Sequence, residues 1–490
     1  MFAYITQGFL WCEKLPSVIS RVVIARRDNT TLLLALAILL IPFNALPYLH
    51  TVLGEMSNEG AFYPLAAAVL IWSLSYLKVL KIGVPQQRSF HLLLLFLIWV
   101  VVSACINIPE ILVASTKGRS GLEKLSLQFV LFSFCILTAL FVYHSMVRVP
   151  RCLVRFRRYI FVSFLVCGLY SVIEIAYLLG SGSAEAILTG VNYYIFSDAG
   201  NLYPGRVRSV SGEASWFAMY CSLVLPWILS YLLSDRRRSW LHLTFFAYFM
   251  LLVVLTKSRT AYVITAIQLG LFFLVDLIGI SRHKARRLRT LAVFFAIVLV
   301  LSMIAVTQFS GEQSLIGIFL SLATEDNMSN IARFGSQLAG YKMALDHPVF
   351  GVGLGQFGFS AANYMPDWAL VSAEIQEWIS PTGAWATALS IYARIASETG
   401  IAGLLIWVSL WGSVLLGCLK RYRLNTIASG RVDYLGLALM VSIAGVFLSG
   451  FNADSFRFFG YWILLGVAWA YTAQSVGIDS RHTRKVGLTC

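Results

Sequence analysis

Long hydrophobic segments, separated by polar connections, follow one another along nearly the whole chain. Twelve of them are 17–23 residues long, which is the length that an α-helix needs to cross about 30 Å of hydrocarbon. They lie at approximately 31–50, 61–80, 90–108, 125–147, 159–180, 213–233, 240–256, 261–280, 290–307, 399–418, 434–450 and 457–475. The pattern predicts an all-α polytopic membrane protein with about twelve transmembrane helices. Segment 384–398 is either interfacial or part of the tenth span.

One connection is much longer than a link between two spans requires, and such loops tend to be functional. It divides the chain into three regions. Residues 1–307 form a membrane region with about nine spans, 308–398 form the long outer loop, and 399–490 contain about three spans and a cytoplasmic tail.

Within this loop, apolar residues recur at helical spacing. They are Ile331, Phe334, Leu338, Tyr341 and Leu345. The spacing predicts an amphipathic helix that lies on the membrane surface or on the bundle. Ser329 or Asn330 is suited to cap its beginning, and Pro348 ends it.

Composition and charge agree with a membrane protein. The chain has 490 residues, of which 58% are hydrophobic and 12% charged, and a net charge of +15. If the N-terminus is cytoplasmic and the sides alternate, the inner segments hold 27 of the 38 Lys and Arg residues. This bias places both termini in the cytoplasm and explains the net charge without nucleic acid. The eight cysteines are scattered without a CxxC pair, so neither a disulfide framework nor a zinc site is expected.

The remaining basic residues fall on the outer side, where orientation does not explain them. They are Lys117, Arg119, Lys124, Arg206, Arg208, Lys257, Arg259, Arg333, Lys342, Arg394 and Arg457. Each one can snorkel to lipid headgroups. Several separate outer segments contribute, however, and cations so near the bilayer are costly unless they meet anions. Lipid phosphate and a lipid-linked pyrophosphate are the two candidate partners, and Arg suits either through bidentate pairing.

Two carboxylates stand close to the predicted membrane surface. Glu213 opens the sixth span, shortly after Arg206 and Arg208. It either satisfies the helix dipole or accepts a proton from a substrate. Glu174 lies in the outer half of the fifth span, where a carboxylate is either functional or paired.

A glycine-rich turn follows the predicted loop helix. Its residues Gly353-Leu354-Gly355-Gln356-Phe357-Gly358 formally match GxGxxG. No strand precedes them and no βαβ unit surrounds them, which excludes a dinucleotide site. The turn needs backbone freedom, either for its own shape or to position a ligand or the preceding helix. No Walker motif, metal-ligand cluster or Ser-His-Asp order is present, so we expect no metal and no cofactor.

Three stretches together resemble the O-antigen polymerase/ligase superfamily of bacterial membrane proteins. They are His347-Pro348-Val349-Phe350-Gly351-Val352-Gly353-Leu354-Gly355-Gln356-Phe357, Ser258-Arg259-Thr260-Ala261-Tyr262 and Ala396-Ser397-Glu398-Thr399-Gly400-Ile401-Ala402-Gly403. The resemblance covers roughly 200–470. The N-terminal third matches only as a set of spans.

The resemblance implies a GT-C-type glycosyltransferase of the cytoplasmic (inner) membrane, with its active site on the periplasmic face. Such enzymes transfer a glycan from undecaprenyl pyrophosphate to an acceptor hydroxyl without a metal, because arginines stabilise the leaving group. The implied partners are the lipid-linked oligosaccharide and membrane lipids, with a chain-length regulator and a flippase beside them, and no nucleic acid.

One departure bears on the reaction. Ligases of this superfamily carry a histidine about nine residues before the Glu398 position. Leu389 and Ser390 stand there, with Tyr392 nearby. The missing histidine favours a polymerase of O-antigen, capsule or exopolysaccharide repeat units. The alternatives are a ligase to lipid A–core and, in another class, a flippase or permease without chemistry. Transporters tend to show internal repeats, and none is visible here.

The candidate site residues follow from these patterns. Glu213 and Arg259 are the expected catalytic residues. Pyrophosphate or glycan is expected at Arg206, Arg208, Lys257, Arg333, Gly353, Gly355, Tyr392 and Arg394. Aromatic residues of the loop either stack on sugars or anchor at the interface. They are Tyr364, Trp368, Trp378 and Trp385.

Overall fold

The protein is built almost entirely of α-helices. The computed structural model describes residues 30–48, 54–77, 83–197, 202–234, 239–278 and 328–474. Its α-helices are α1 (Thr30–Leu39), α2 (Phe62–Leu77), α3 (Arg88–Ile106), α4 (Ile108–Val113), α5 (Gly121–Val147), α6 (Cys152–Leu178), α7 (Gly182–Ile195), α8 (Ala214–Ser234), α9 (Ser239–Leu255), α10 (Arg259–Ile278), α11 (Met328–Asp346), α12 (Phe357–Tyr364), α13 (Ala373–Ile379), α14 (Ile391–Ser429), α15 (Tyr434–Ser449) and α16 (Phe459–Ala473). Short 3₁₀ helices span Gly54–Asn58 and Asp367–Val371, and β1 (Ser115–Thr116) pairs antiparallel with β2 (Arg119–Ser120).

Five of these helices are long and apolar enough to cross a membrane, namely α3, α5, α6, α8 and α14. Six shorter apolar helices of 10–17 residues accompany them in the described part of the chain. The prediction of a helical polytopic membrane protein is therefore confirmed. The count of twelve spans and the GT-C-like arrangement stay predictions, and the predicted span 290–307 lies outside the described residues.

The centre of the bundle is formed by α8, α15 and α16. Every residue from Phe459 to Tyr471 is buried, and α8 is almost as fully enclosed. The closest helix pairs are α5 with α16, α8 with α15, and α3 with α14. Large aromatic side chains such as Trp227, Trp407 and Trp462 fill the interior, where their area contributes most to packing.

The predicted loop helix is present as α11, but only Ile331 and Tyr341 of its predicted apolar stripe pack against the protein. Small residues such as Ala332, Ser336 and Ala339 are buried instead. Gly335 and Gly340 allow close approach, since an added Cβ would lie 2.5 Å from Ala369 Cβ and 3.1 Å from Ala393 O, respectively. The helix therefore packs mainly through small residues together with Met343, Ile331 and Tyr341, and leaves Phe334, Leu338 and Leu345 exposed.

The uncertain segment before the tenth predicted span divides at two points. Helix α14 begins at Ile391. It is then broken at Gly400, whose φ of 75° and ψ of 174° lie outside the helical region. Residues 391–399 thus form a separate helical piece, and the long apolar helix begins at Ile401. The break lies within the Ala396–Gly403 stretch that resembles the superfamily.

Candidate functional site

A cavity of about 880 Å³ opens between the ends of several helices and the loop that contains α11 to α13. It lies beside the first residues of α5, α8 and α10 and the segment that joins α15 to α16. Six cations and five carboxylates line it. Its charged and polar lining comprises Lys117, Arg119, Glu123, Lys124, Gln128, Glu213, Arg333, Glu374, Arg394, Glu398, Asn452, Asp454 and Arg457.

The cavity wall changes from charged to apolar along α5 and α8. On α5, Lys124 and Gln128 are followed on the same face by Leu131, because residues three and four apart share one face of a helix. On α8, Glu213 just before the helix is followed by Met219. The cavity therefore has a charged mouth and apolar walls, and it fits an amphipathic molecule with an anionic head.

Arg333 is the centre of the charge arrangement. Burial lowers the pKa of its guanidinium, while the carboxylates of Glu374 and Glu213 raise that pKa and the guanidiniums of Arg259 and Arg206 lower it. These five side chains come from separate parts of the sequence, yet they are near enough to act on one another. A bound anion would offset the unfavourable effect of Arg206 and Arg259 on the charge of Arg333.

Two carboxylates flank Arg333 at the cavity. Glu213 is exposed, and its Oε2 accepts a hydrogen bond of 2.9 Å from Ser215 Oγ. Burial raises the pKa of Glu374, and the nearby Glu213 and Glu377 raise it further, whereas Arg333 lowers it. Glu374 was missed in the sequence because it lies in a loop without a recognisable motif. Only folding of the loop onto the bundle brings it to Arg333.

Arg394 also lines the cavity, but its guanidinium is held by the protein. Nε lies 3.2 Å from Glu398 Oε2. Nη1 donates to Asp454 O at 2.8 Å, and Nη2 donates to Gln128 Oε1 at 2.8 Å. Arg394 thus joins α14, α5 and the segment after α15, which makes it a fixed wall of the cavity. Arg333 is tied to that same segment through a hydrogen bond to Asn452.

The glycine-rich turn at 351–355 is hydrogen-bonded to residues 397–400 at the break in α14, and this contact is called the clasp below. Val352 N donates to Ser397 O and Gly353 N to Glu398 O, both at 2.9 Å. The carboxylate of Glu398 in turn accepts hydrogen bonds from the backbone N–H groups of Gly355 and Phe357. The turn therefore fixes Glu398, and through it the salt bridge to Arg394.

Glycine is required in this clasp because two backbones touch. Gly351, Gly353 and Gly355 have φ of 64°, 98° and 80°, a region that side chains disfavour. An added Cβ at Gly351 would meet the backbone of Glu398 at 2.5 Å, and one at Gly400 would meet Val349 O at 2.1 Å. Gly355 lines the cavity, whereas Gly353 packs against Ile111.

Several of the residues predicted from the sequence do not line the cavity. Arg206 and Arg259 do not line the cavity, although both influence Arg333. Lys257 is in the turn before α10, with φ of 49°. Tyr392 is buried and its hydroxyl donates to Phe447 O. Like Gly353, these residues do not line the cavity.

Arg208 and Glu174 belong to a structural contact. The carboxylate of Glu174 accepts hydrogen bonds from Arg208 N at 3.0 Å and Ser209 N at 2.9 Å. The guanidinium of Arg208 lies 4.0 Å from the ring centroid of Phe196, and its Nη1 donates to Gly212 O at 2.9 Å. This buried contact holds the segment before α8 in place. Arg208 does not line the cavity, and its expected contact with the pyrophosphate stays a prediction.

The sequence did not single out several residues that line the cavity. Lys124 is buried, with its Nζ 3.9 Å from the ring centroid of Trp385. Arg457 forms a 3.4 Å salt bridge with the buried Glu59. Lys124 and Arg457 had been noted as outer cations, and that was the only available signal. Of the four loop aromatics proposed to contact sugar, Trp385 alone lines this cavity.

Within the part of the chain that the structure describes, no group of three His, Cys, Asp or Glu side chains is arranged to hold a metal ion. The expectation that the reaction needs no metal and no cofactor stays a prediction.

Comparison with known families gives one match. Residues 243–408, which are 166 of the 490 residues, match the family model Wzy_C, described as O-antigen ligase. The matched part runs from α9 to the beginning of the long helix after Gly400 and contains Arg259, Arg333 and Arg394. No curated protein matches the chain. The family match confirms the resemblance of this chain to the O-antigen polymerase/ligase superfamily.

Proposed function

We propose that the protein is a polymerase of polysaccharide repeat units. It transfers a glycan from undecaprenyl pyrophosphate to a sugar hydroxyl of another lipid-linked unit, at the periplasmic face of the bacterial inner membrane. The observation that carries this proposal is the group of Arg206, Arg259 and Arg333 beside a cavity with a charged mouth and apolar walls. A pyrophosphate head with a polyprenyl tail has the matching chemistry.

In the proposed reaction, the oxygen of the acceptor hydroxyl forms a bond to the anomeric carbon of the donor sugar. The bond from that carbon to the pyrophosphate oxygen breaks, and its electron pair leaves with undecaprenyl pyrophosphate. Arg333 and Arg259 stabilise the charge that develops on the leaving group, as oriented cationic donors do in other transfer reactions. The hydroxyl proton passes to Glu213, which is exposed and lines the cavity.

A polymerase is favoured over a ligase by the residue at the position of the ligase histidine. Leu389 occupies that place and its side chain lines the cavity, so no imidazole is available there. Glu213 and Glu374 are the carboxylates beside Arg333. Either one can take the proton-accepting role that the resemblance assigns to histidine in ligases.

The test uses the purified protein in liposomes with lipid-linked repeat units extracted from its host as the only saccharide. We expect a ladder of lipid-linked polymers. Lipid A–core is added in a parallel reaction. If single repeat units are joined to lipid A–core and no ladder forms without it, the protein is a ligase. If neither product forms while the lipid-linked unit crosses the bilayer, the flippase alternative is correct.

A further inference from the structure

The outward face of α11 has a composition that is unusual for a surface in contact with water. Phe334, Leu338 and Leu345 are 57%, 38% and 70% exposed. At about 100° per residue they fall within roughly 40° of one another around the helix. Lys342 borders this arc and is exposed. A narrow, exposed apolar arc edged by a cation is typical of a helix that lies in a membrane interface.

This apolar face continues onto the lipid-facing side of the bundle. The residues after α11 fold back onto the break in α14, where Ile401 N donates to Pro348 O at 2.8 Å. Val349, beside that contact, is exposed, as are Ile401 and Leu405 on the membrane-spanning part of α14. The exposed side of α11 and the exposed side of a membrane helix therefore meet at Val349.

An exposed aromatic residue lies against the N-terminal half of α11. Trp368 is 49% exposed and lies against α11, since an added Cβ at Gly335 would be 3.8 Å from its ring. Tryptophan is enriched at the level of lipid headgroups, because its ring is apolar and its N–H is polar. Trp368 therefore packs beside Gly335, the residue after Phe334, with half of its surface exposed as expected of a tryptophan at that level.

We propose that Phe334, Leu338 and Leu345 lie in the boundary between the headgroups and the acyl chains of the bilayer. Arg333, which precedes Phe334, lines the cavity on another side of the helix. Anchoring of α11 therefore holds this guanidinium at the depth of lipid phosphates. A second inference rests on the proposed function. Anchoring of α11 places Arg333 at the same depth in the membrane as the pyrophosphate of the lipid-linked substrate.

The first test measures depth and needs no activity. A bimane label is attached to a Leu338→Cys variant in liposomes, and to an Asp346→Cys variant, which is exposed on the same helix roughly 80° away from Leu338. The unsubstituted protein, labelled in parallel, gives the background from native cysteines. We expect nitroxide lipids to quench the label at position 338 severalfold more than aqueous iodide does, with the opposite order at position 346.

Equal quenching by iodide at both positions would show that the face is in water and overturn the proposal. Quenching by neither agent at position 338 would show that protein covers the face, either residues 279–327 or a second copy, and would overturn it as well.

The second test addresses Arg333. Phe334→Ser should raise the KM for the lipid-linked substrate severalfold with a smaller change in kcat, and Phe334→Leu should restore it. An unchanged KM in Phe334→Ser, with the quenching result intact, would leave the anchor in place and overturn the positioning of Arg333. If polymerase activity is absent in the unsubstituted protein, the proposed function fails while the depth measurement still decides the anchor.

Discussion

At the scale of single residues, the site depends on where guanidiniums are placed rather than on how many there are. Arg394 and Arg457 line the cavity but are paired with Glu398 and Glu59. Arg333 hydrogen-bonds to the neutral Asn452 and is flanked by other arginines. Arg333 is therefore the cavity-lining arginine that we propose to meet the substrate anion.

Arg333→Lys tests this difference. Lysine keeps the charge but loses the planar fork that binds phosphate through two hydrogen bonds. We expect the initial rate of polymer formation to fall by about 10²–10³, the usual cost of one lost transition-state donor. Arg148→Lys is the control, since Arg148 is exposed at the opposite end of α5. Full polymer ladders from Arg333→Lys at matched protein levels would favour simple anchoring to headgroups.

The sequence allowed part of this arrangement to be predicted. Arg206, Arg259 and Arg333 could be grouped because alternating spans bring their segments to one side of the membrane. Glu374 could not be identified, because its relation to Arg333 depends on how the loop folds. Arg208 was assigned to the substrate from its position, whereas the fold uses it in a buried contact with Phe196.

At the scale of elements, the clasp between the glycine-rich turn and α14 shapes one wall of the cavity. The helices themselves were predictable from hydrophobic length, and α11 from its spacing. The clasp was not predictable, because it joins residues far apart in sequence. Its glycines are needed only because the backbone of the other segment passes close to them. The buried side of α11 was only partly predictable, because it consists mainly of Ala, Gly and Ser residues, which give little hydrophobic signal.

Gly400→Ala tests the clasp. Alanine disfavours a φ of 75°, at a cost of about 1–3 kcal/mol, and its Cβ would overlap Val349 O. We expect a lower Tm in detergent and loss of most polymer formation. Gly412→Ala is the matched control in the same helix, because nothing lies within 4 Å of an added Cβ there. Equal Tm and activity in both variants would contradict a structural role for the break.

At the scale of the whole molecule, the orientation of the protein in the membrane decides whether the cavity faces the periplasm. The 27-to-11 division of Lys and Arg predicts cytoplasmic termini and an outer loop at 308–398. The starts of α5, α8 and α10 contribute to the cavity, so all three must lie on the same side as that loop. Charge and geometry thus lead to one orientation.

A cysteine at an exposed loop position tests this orientation in intact cells. Leu370 is exposed in the described part of the loop, and Leu370→Cys should react with a membrane-impermeant maleimide without permeabilisation. Ser429→Cys, near the end of α14 and exposed, should react only after the inner membrane is opened. The reverse order of labelling would place the cavity in the cytoplasm and exclude a periplasmic transferase.

The break in α14 also has a consequence for biogenesis. Two carbonyls at the break accept hydrogen bonds from α3, since Trp99 Nε1 donates to Thr399 O at 2.9 Å and Ser103 Oγ donates to Glu398 O at 3.2 Å. Ser103 Oγ also donates to Phe350 O of the adjoining turn at 2.6 Å. The residues of the Trp99–Thr399 pair are 300 positions apart. Helix α3 is therefore synthesised long before α14. Trp99 and Ser103 lack these acceptors until the last third of the chain has been made. A chain that stops before α14 would keep these polar groups unmatched, which is the kind of defect that membrane quality-control proteases are suited to detect.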